Sequence, residues 1–150
     1  MAGGVSWELV AMAEFFGRYE HSIDGKGRVI LPAKFRVHFE HGGFLTQYLD
    51  GCLALWTPEQ FSSQTRKMRD RQSLGRSERN EVRLWSSNAG ALEIDRQGRM
   101  MIPAYLRTYA ALEGDVLVLG AIDRVELWDP RRWEEKVGPE EQRLIEGADD

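Results

Sequence analysis

The 150-residue chain is poor in the side chains from which catalytic and metal centres are usually built. Its one cysteine, Cys52, can form neither an intrachain disulfide nor a cysteine-rich zinc site. The three histidines, His21, His38 and His41, stand in no HExxH pattern, and no CxxC pair is present. His38 and His41 lie three apart at the end of a possible helix with no third ligand nearby in sequence, so they read as a solvated pair. His21 and Ser22 lie close to Asp24, but adjacent residues on a strand face opposite ways, which argues against a catalytic triad. Gly25-Lys26-Gly27 hints at a phosphate cradle, yet its spacing fits neither a P-loop nor a dinucleotide fingerprint. No apolar run reaches the length of a membrane span, and Met1 to Ala13 lack a basic start and carry Glu8, unlike a signal peptide. The expectation is a cytoplasmic protein that is not an enzyme, with no metal, no cofactor, no small-molecule substrate and no membrane partner.

A strongly basic balance is also missing: the formal charge is −4. The charge is unevenly placed, however. Glu134 to Asp150 holds seven acidic and two basic residues, a net of −5, so the rest of the chain carries +1. Arg66 to Arg83 holds seven basic and three acidic residues, a net of +4. Such asymmetry fits a basic working surface beside an acidic tail. Each block taken alone fits equally a solvated helix face and a disordered terminus.

What the chain does have is a repeat. Ile23-Asp24-Gly25-Lys26-Gly27-Arg28-Val29-Ile30-Leu31-Pro32-Ala33-Lys34-Phe35-Arg36 returns 71 residues later as Ile94-Asp95-Arg96-Gln97-Gly98-Arg99-Met100-Met101-Ile102-Pro103-Ala104-Tyr105-Leu106-Arg107. Seven of the fourteen positions are identical, where unrelated segments would share about one. Leu53 to Pro58 matches Val125 to Pro130 at an offset of 72. The chain is two copies of a unit of about 45 residues, a size at which a lone core fails without staples. The units are therefore expected to bury their apolar faces against each other or against other chains, an intertwined pseudo-dimer being the economical arrangement.

Each copy has the same plan. Asp24-Gly25 and Gly27 mark a turn between Ile23 and Val29-Ile30-Leu31, which predicts a hairpin. Pro32 and Pro103 suit helix starts, with Phe35, Val37 and Phe39, or Leu106 and Tyr109, as the apolar side. Two short strands follow in each copy, Phe44–Tyr48 with Leu53–Trp56 and Val116–Leu119 with Val125–Trp128, and Trp56 and Trp128 read as core anchors. Thr57-Pro58-Glu59-Gln60 and Asp129-Pro130 are helix starts. A polar stretch from Gln72 to Glu81 separates the first of these helices from one expected to resume near Val82 and Trp85. Gly138-Pro139 is expected to end the last helix, with a frayed or disordered remainder. The division is an N-terminal extension over 1–14, unit 1 over 17–60, a helical connection over 61–88, unit 2 over 89–132 and an acidic tail over 133–150.

The repeated Asp/Arg loop admits two explanations. Asp24 and Asp95 can cap their turns through backbone N–H groups while Arg28 and Arg99 pair with them. Alternatively the arginines face a polyanion, since the guanidinium fork suits bidentate contact with phosphate or guanine. The two are compatible if the aspartates, with Gly27 and Gly98, shape loops that present Arg28 and Arg99. Lys26 against Gln97, and Gly25 against Arg96, are the positions at which the presented groups vary. A nucleic-acid module and a generic interaction module both remain open on these residues alone.

Asp24-Gly25-Lys26-Gly27-Arg28 with Leu31-Pro32-Ala33-Lys34-Phe35-Arg36, and Asp95-Arg96-Gln97-Gly98-Arg99 with Ile102-Pro103, resemble the doubled signature of the MraZ family, whose members carry two SpoVT-AbrB-type units. The resemblance runs from about Phe15 to Trp133. Met12 stands just before Phe15-Phe16-Gly17, so residues 1–12 resemble an extension ahead of the family's usual start. The resemblance implies an α+β fold, mainly β with short helices, in which the two units form an intertwined swapped-hairpin β-barrel. It implies a ring-shaped homo-oligomer and a nucleoid-associated transcriptional regulator binding short repeats in the promoter of the division and cell-wall gene cluster. By position, the contact residues it implies are Arg28 with Lys26 in the first loop, and Arg99 with Arg96 in the second. The alternative is an antitoxin-like member of the same superfamily whose acidic tail wraps a toxin.

Overall fold

A computed structural model describes residues 12–147; the expected extension over residues 1–14 lies outside the described residues as far as residue 11. In chain order the elements are β1 (Arg18–Ser22), β2 (Arg28–Ile30), α1 (Ala33–Arg36), β3 (Phe44–Gln47), β4 (Leu53–Trp56), α2 (Pro58–Arg71), α3 (Arg76–Asn88), β5 (Gly90–Ala91), β6 (Arg99–Met101), α4 (Ala104–Ala110), β7 (Asp115–Gly120), β8 (Val125–Trp128), α5 (Pro130–Lys136) and α6 (Gly138–Glu146). Six strands form one antiparallel sheet in the order β1-β7-β8-β4-β3-β5, and β2 pairs with β6 in a separate two-stranded ribbon.

This order interleaves the two units. β1 of the first unit lies on β7 of the second, with Arg18 opposite Leu119 and Ser22 opposite Asp115. In return β5 of the second unit lies on β3 of the first, with Phe44 opposite Ala91. Where the units meet, residues pair with their own counterparts in the repeat: Val29 with Met100 in the ribbon and Ala54 with Glu126 between β4 and β8. A pseudo-twofold axis therefore passes through both pairs. The mainly antiparallel α+β architecture and the intertwining of the units agree with expectation.

The predicted hairpin forms only at its tip. Gly27 N–H donates to Asp24 O at 3.0 Å and Asp24 N–H to Arg28 O at 2.9 Å, closing the turn. Beyond it the strands part, β1 to β7 and β2 to β6. A two-stranded hairpin buries too little on its own, whereas exchange places Val29 and Met100 face to face, both fully buried.

Alternation along the strands explains the core. Leu53 and Leu55 on β4, Val125 and Leu127 on β8, and Val116 and Val118 on β7 point to one face of the sheet and meet Val29, Leu31, Phe35, Met100, Ile102 and Leu106 from the ribbon and the short helices. On the other face stand Trp56 and Trp128, both buried as expected. Their indole N–H groups are satisfied differently, by Thr46 Oγ1 at 2.9 Å and by Glu126 Oε1 at 2.8 Å. Helices cover this outer face at both ends: Phe61 on α2 stacks between Phe44 and Trp85, at 4.0 and 5.3 Å, and Trp133 on α5 meets Trp128 edge-on at 5.2 Å. Both expected caps are made, Thr57 Oγ1 accepting from Gln60 N and Asp129 Oδ2 from Arg132 N, each at 3.2 Å.

Three expectations need correction. α3 begins at Arg76, not near Val82; Val82 and Trp85 are its buried positions, and the polar residues before them form its solvated first turn. Val37 is exposed, and the short helices are anchored by Phe35, Phe39, Leu106 and Ala110 instead. The segment after Gly138-Pro139 is not frayed: it forms α6, with Pro139 in its first turn and Gly147 (φ 71°) as its C-cap. Pro at the helix start and good helix formers after it favour this helix, but it buries no residue, so no periodic apolar stripe announces it.

Candidate nucleic-acid interface

Each Asp/Arg loop is built around its aspartate. Asp24 Oδ1 accepts from the backbone N–H of Lys26 and of Arg28, both at 2.9 Å, and Asp24 Oδ2 takes Arg28 Nε at 2.9 Å. The second loop repeats this: Asp95 Oδ1 accepts from Gln97 and Arg99 N–H at 2.9 and 3.0 Å, and Asp95 Oδ2 takes Arg99 Nε at 2.7 Å. The backbone N–H of Arg28, more than any other contact, holds the Asp24 carboxyl below the ordinary carboxylate range, and that of Arg99 does the same for Asp95. Gly27 and Gly98 are buried and left-handed, at φ 80° and 81°, a conformation that a Cβ would penalise.

The capping explanation and the presenting explanation thus coexist in one geometry. Nε of each arginine is spent on the loop aspartate, while the two terminal amino groups of Arg28 and of Arg99 take no hydrogen bond among the described residues. Arg28 lies opposite Met101 in the ribbon and Arg99 opposite Ile30, so the two arginines are diagonal neighbours on one face, about 7–8 Å apart by strand geometry. Val29 and Met100 occupy the inner face, leaving the arginines half-exposed on the outer one. Lys26, Arg96 and Gln97 are exposed at the loop tips.

The loops are also locked across the units. The Arg107 guanidinium of α4 lies against Gly27, and that of Arg36 at the end of α1 lies against Gly98. Backbone bonds repeat the crossing, Leu31 N–H donating to Gly98 O and Ile102 N–H to Gly27 O, each at 2.9 Å. The two arginines differ in one respect. Arg36 donates through Nε and Nη2 to Leu31 O, at 3.2 and 3.0 Å. Arg107 Nε is buried and has no acceptor among the described residues.

The geometry coincides with a recognised family pattern. Residues 15–83 and 86–146 each match the profile of the family described as "MraZ protein, putative antitoxin-like". The transcriptional regulator MraZ of Acetivibrio thermocellus is 43% identical over 126 residues, which cover 84% of this chain and 88% of that one. The chain belongs to the MraZ family. The transcriptional regulators MraZ of Heliobacterium modesticaldum and of a Nocardioides species are 38% and 40% identical, over 88% and 81% of this chain and 94% and 84% of theirs. The MraZ match extends to residue 146, so most of the acidic tail, expected to lie outside the recognisable unit, falls within it and coincides with α5 and α6.

Within the MraZ repeat, Arg36 and Arg107 are the residues the sequence reading left unassigned. Their signal was present: they are identical and close the repeated segment in both copies. Their role was not deducible from one copy, because each works on the loop of the other unit. Among the described residues no group of three or more His, Cys, Asp or Glu side chains converges as a metal site would require, and no helix is long and apolar enough to cross a membrane.

Proposed function

We propose that this chain is a transcriptional regulator that binds double-stranded promoter DNA through the outer face of the β2–β6 ribbon and its two loops. The observation that carries the reading is the diagonal placement of Arg28 and Arg99, each oriented by its own aspartate and each with two terminal amino groups to offer. A two-stranded β-ribbon fits the major groove, and arginine is the side chain suited to bidentate contact with guanine or phosphate. Lys26 and Arg96, at the tips, add phosphate contacts; Asp24, Gly27, Asp95 and Gly98 shape the loops. The names of the relatives support regulation of transcription.

One ribbon offers few phosphate contacts, so a single chain binds weakly. Assembly into a ring-shaped homo-oligomer on successive short repeats, as in the promoter of the division and cell-wall gene cluster, makes later contacts intramolecular and raises avidity by roughly 10²–10⁴. The working place is the cytoplasm, at the nucleoid. The test is a gel-retardation titration against the chain's own upstream DNA with scrambled duplex as control. Arg28→Ala loses retardation while sedimentation shows an unchanged oligomer; a variant that falls apart instead assigns Arg28 a purely structural role.

A second reading, an antitoxin-like protein, is favoured by one observation: α6 presents Leu144 and Ile145 at 73% and 72% exposure beside Glu140, Glu141 and Glu146. It requires a small basic partner whose binding is lost when residues 134–150 are removed.

A further inference from the structure

The charge blocks of the sequence become two opposed surfaces in the fold. α2 and α3 form an antiparallel hairpin whose arginines and Lys67 are exposed, with Leu74 at its tip 68% exposed. At the other end of the molecule, a cleft of about 680 Å³ opens between β1 and the α5–α6 pair, walled by Glu20, Asp115, Glu134 and Glu141. Arg18, the cation in its lining, is turned onto the Trp133 ring, 5.5 Å from its centroid. The cleft is therefore acidic and the hairpin tip basic.

The two surfaces do not meet within one chain. The hairpin packs through Phe61 and Trp85 on the β3–β4 half of the outer sheet face, and α5 packs through Trp133 on the β8 half. The ion pairs on both are local, Arg71 with Glu81 inside the hairpin and Arg143 with Glu140 inside α6. Arg69, Arg76 and Arg79 have no ion pair among the described residues, and neither have Glu134 and Glu141.

We propose that the α2–α3 hairpin of one copy docks, tip first, into the acidic cleft between β1 and α5–α6 of a second copy. The occupant is a second copy of this chain, because the chain carries both halves of the complement, net +4 on the hairpin segment and net −5 from Glu134 onward. Leu74 at the tip, with Leu144 and Ile145 on α6, supplies apolar area to cover at such a joint. A contact between two different patches is heterologous, so it propagates from copy to copy and closes as a ring or runs on as a filament. This rests on the multivalent reading above and names the joint that reading needs.

The test is sedimentation velocity of the full chain with exposed charges reversed, fold being checked by circular dichroism. One variant carries R69E, R76E and R79E; a second carries E134K and E141K. The wild-type chain assembles at low salt and dissociates as salt rises, while each variant alone runs at the monomer mass. Mixing the two variants, or combining all five changes in one chain, restores assembly. Variants that keep the wild-type mass overturn the proposal, as does failure of either combination to restore it. If only the tail variant loses mass, the cleft meets some surface other than the hairpin, and the proposal is equally wrong. Loss of DNA binding with intact assembly, as in Arg28→Ala, bears on the DNA reading alone.

Discussion

The guanidinium of Arg107, carried by α4 of the second unit, lies against Gly27 in the loop of the first: a Cβ at Gly27 would stand 2.6 Å from Arg107 Nη1. The loop that presents Lys26 and Arg28 is thus held by a helix from the other half of the chain. Its shape depends on the two units being assembled, not on its own sequence alone.

Gly27→Ala tests this directly. The left-handed backbone at φ 80° costs a non-glycine residue about 1–2 kcal/mol, and Arg107 must also move. Thermal unfolding should fall by roughly 2–8 °C, given about 2–4 °C per kcal/mol for a chain of this size. Gly25→Ala is the control, because nothing lies within 4 Å of a Cβ there and its φ is not left-handed. Equal effects of the two substitutions would refute the crossing contact.

Arg36 and Arg107 occupy equivalent places but are not energetically equivalent. Arg36→Ala removes two hydrogen bonds to Leu31 O and should cost about 1–2 kcal/mol in urea unfolding. Arg107→Met keeps most of the packing stem and removes a buried Nε that has no acceptor, so it should cost less than Arg36→Met. The reverse order would mean that Arg107 finds an acceptor in solution.

These arginines also mark the boundary of what could be read from the chain. The duplication, the loop-shaping aspartates and the caps at Thr57 and Asp129 were legible because each depends on residues within four positions of one another. Strand exchange was legible only through resemblance, since the pairing of Ser22 with Asp115 leaves no local trace. The Gly27–Arg107 contact was not legible for the same reason, although both residues stood in the repeat. α6 was missed for another reason: a helix with every apolar residue in solvent lacks the stripe by which helices are recognised.

The caged aspartates set a pH window. The carboxyls of Asp24 and Asp95 lie below the ordinary value because their charged forms accept backbone N–H bonds. A folded value below the unfolded one stabilises the loops fully above the unfolded value, and that contribution is lost as pH falls through the lowered one. The loops should therefore keep one conformation from neutral pH down to about pH 4. The amide resonances of Lys26, Arg28, Gln97 and Arg99 report this, and they should shift together only below that point. Movement of these amides between pH 5 and 7 would show that the aspartate cage is not what shapes the loops.

The two loops should contribute unequally to DNA binding. The first offers Lys26 beside Arg28, the second Arg96 and Gln97 beside Arg99, and the guanidinium behind the first loop has an unsatisfied buried donor while that behind the second is bonded. Arg28→Ala should therefore weaken retardation of the upstream DNA more than Arg99→Ala. The salt dependence separates positioning from reading. If an arginine neutralises a phosphate, its removal lowers the slope of log K against log salt by about one per engaged chain. If it reads a base edge, affinity for the repeat falls by about 1–3 kcal/mol while the slope stays and binding to scrambled duplex is unchanged. Lys26→Ala, at an exposed tip with no base-reading fork, should give the slope change. An Arg28→Ala variant that retains the wild-type affinity and slope would remove the ribbon face from the DNA interface, and leave the Asp24–Arg28 pair as loop architecture alone.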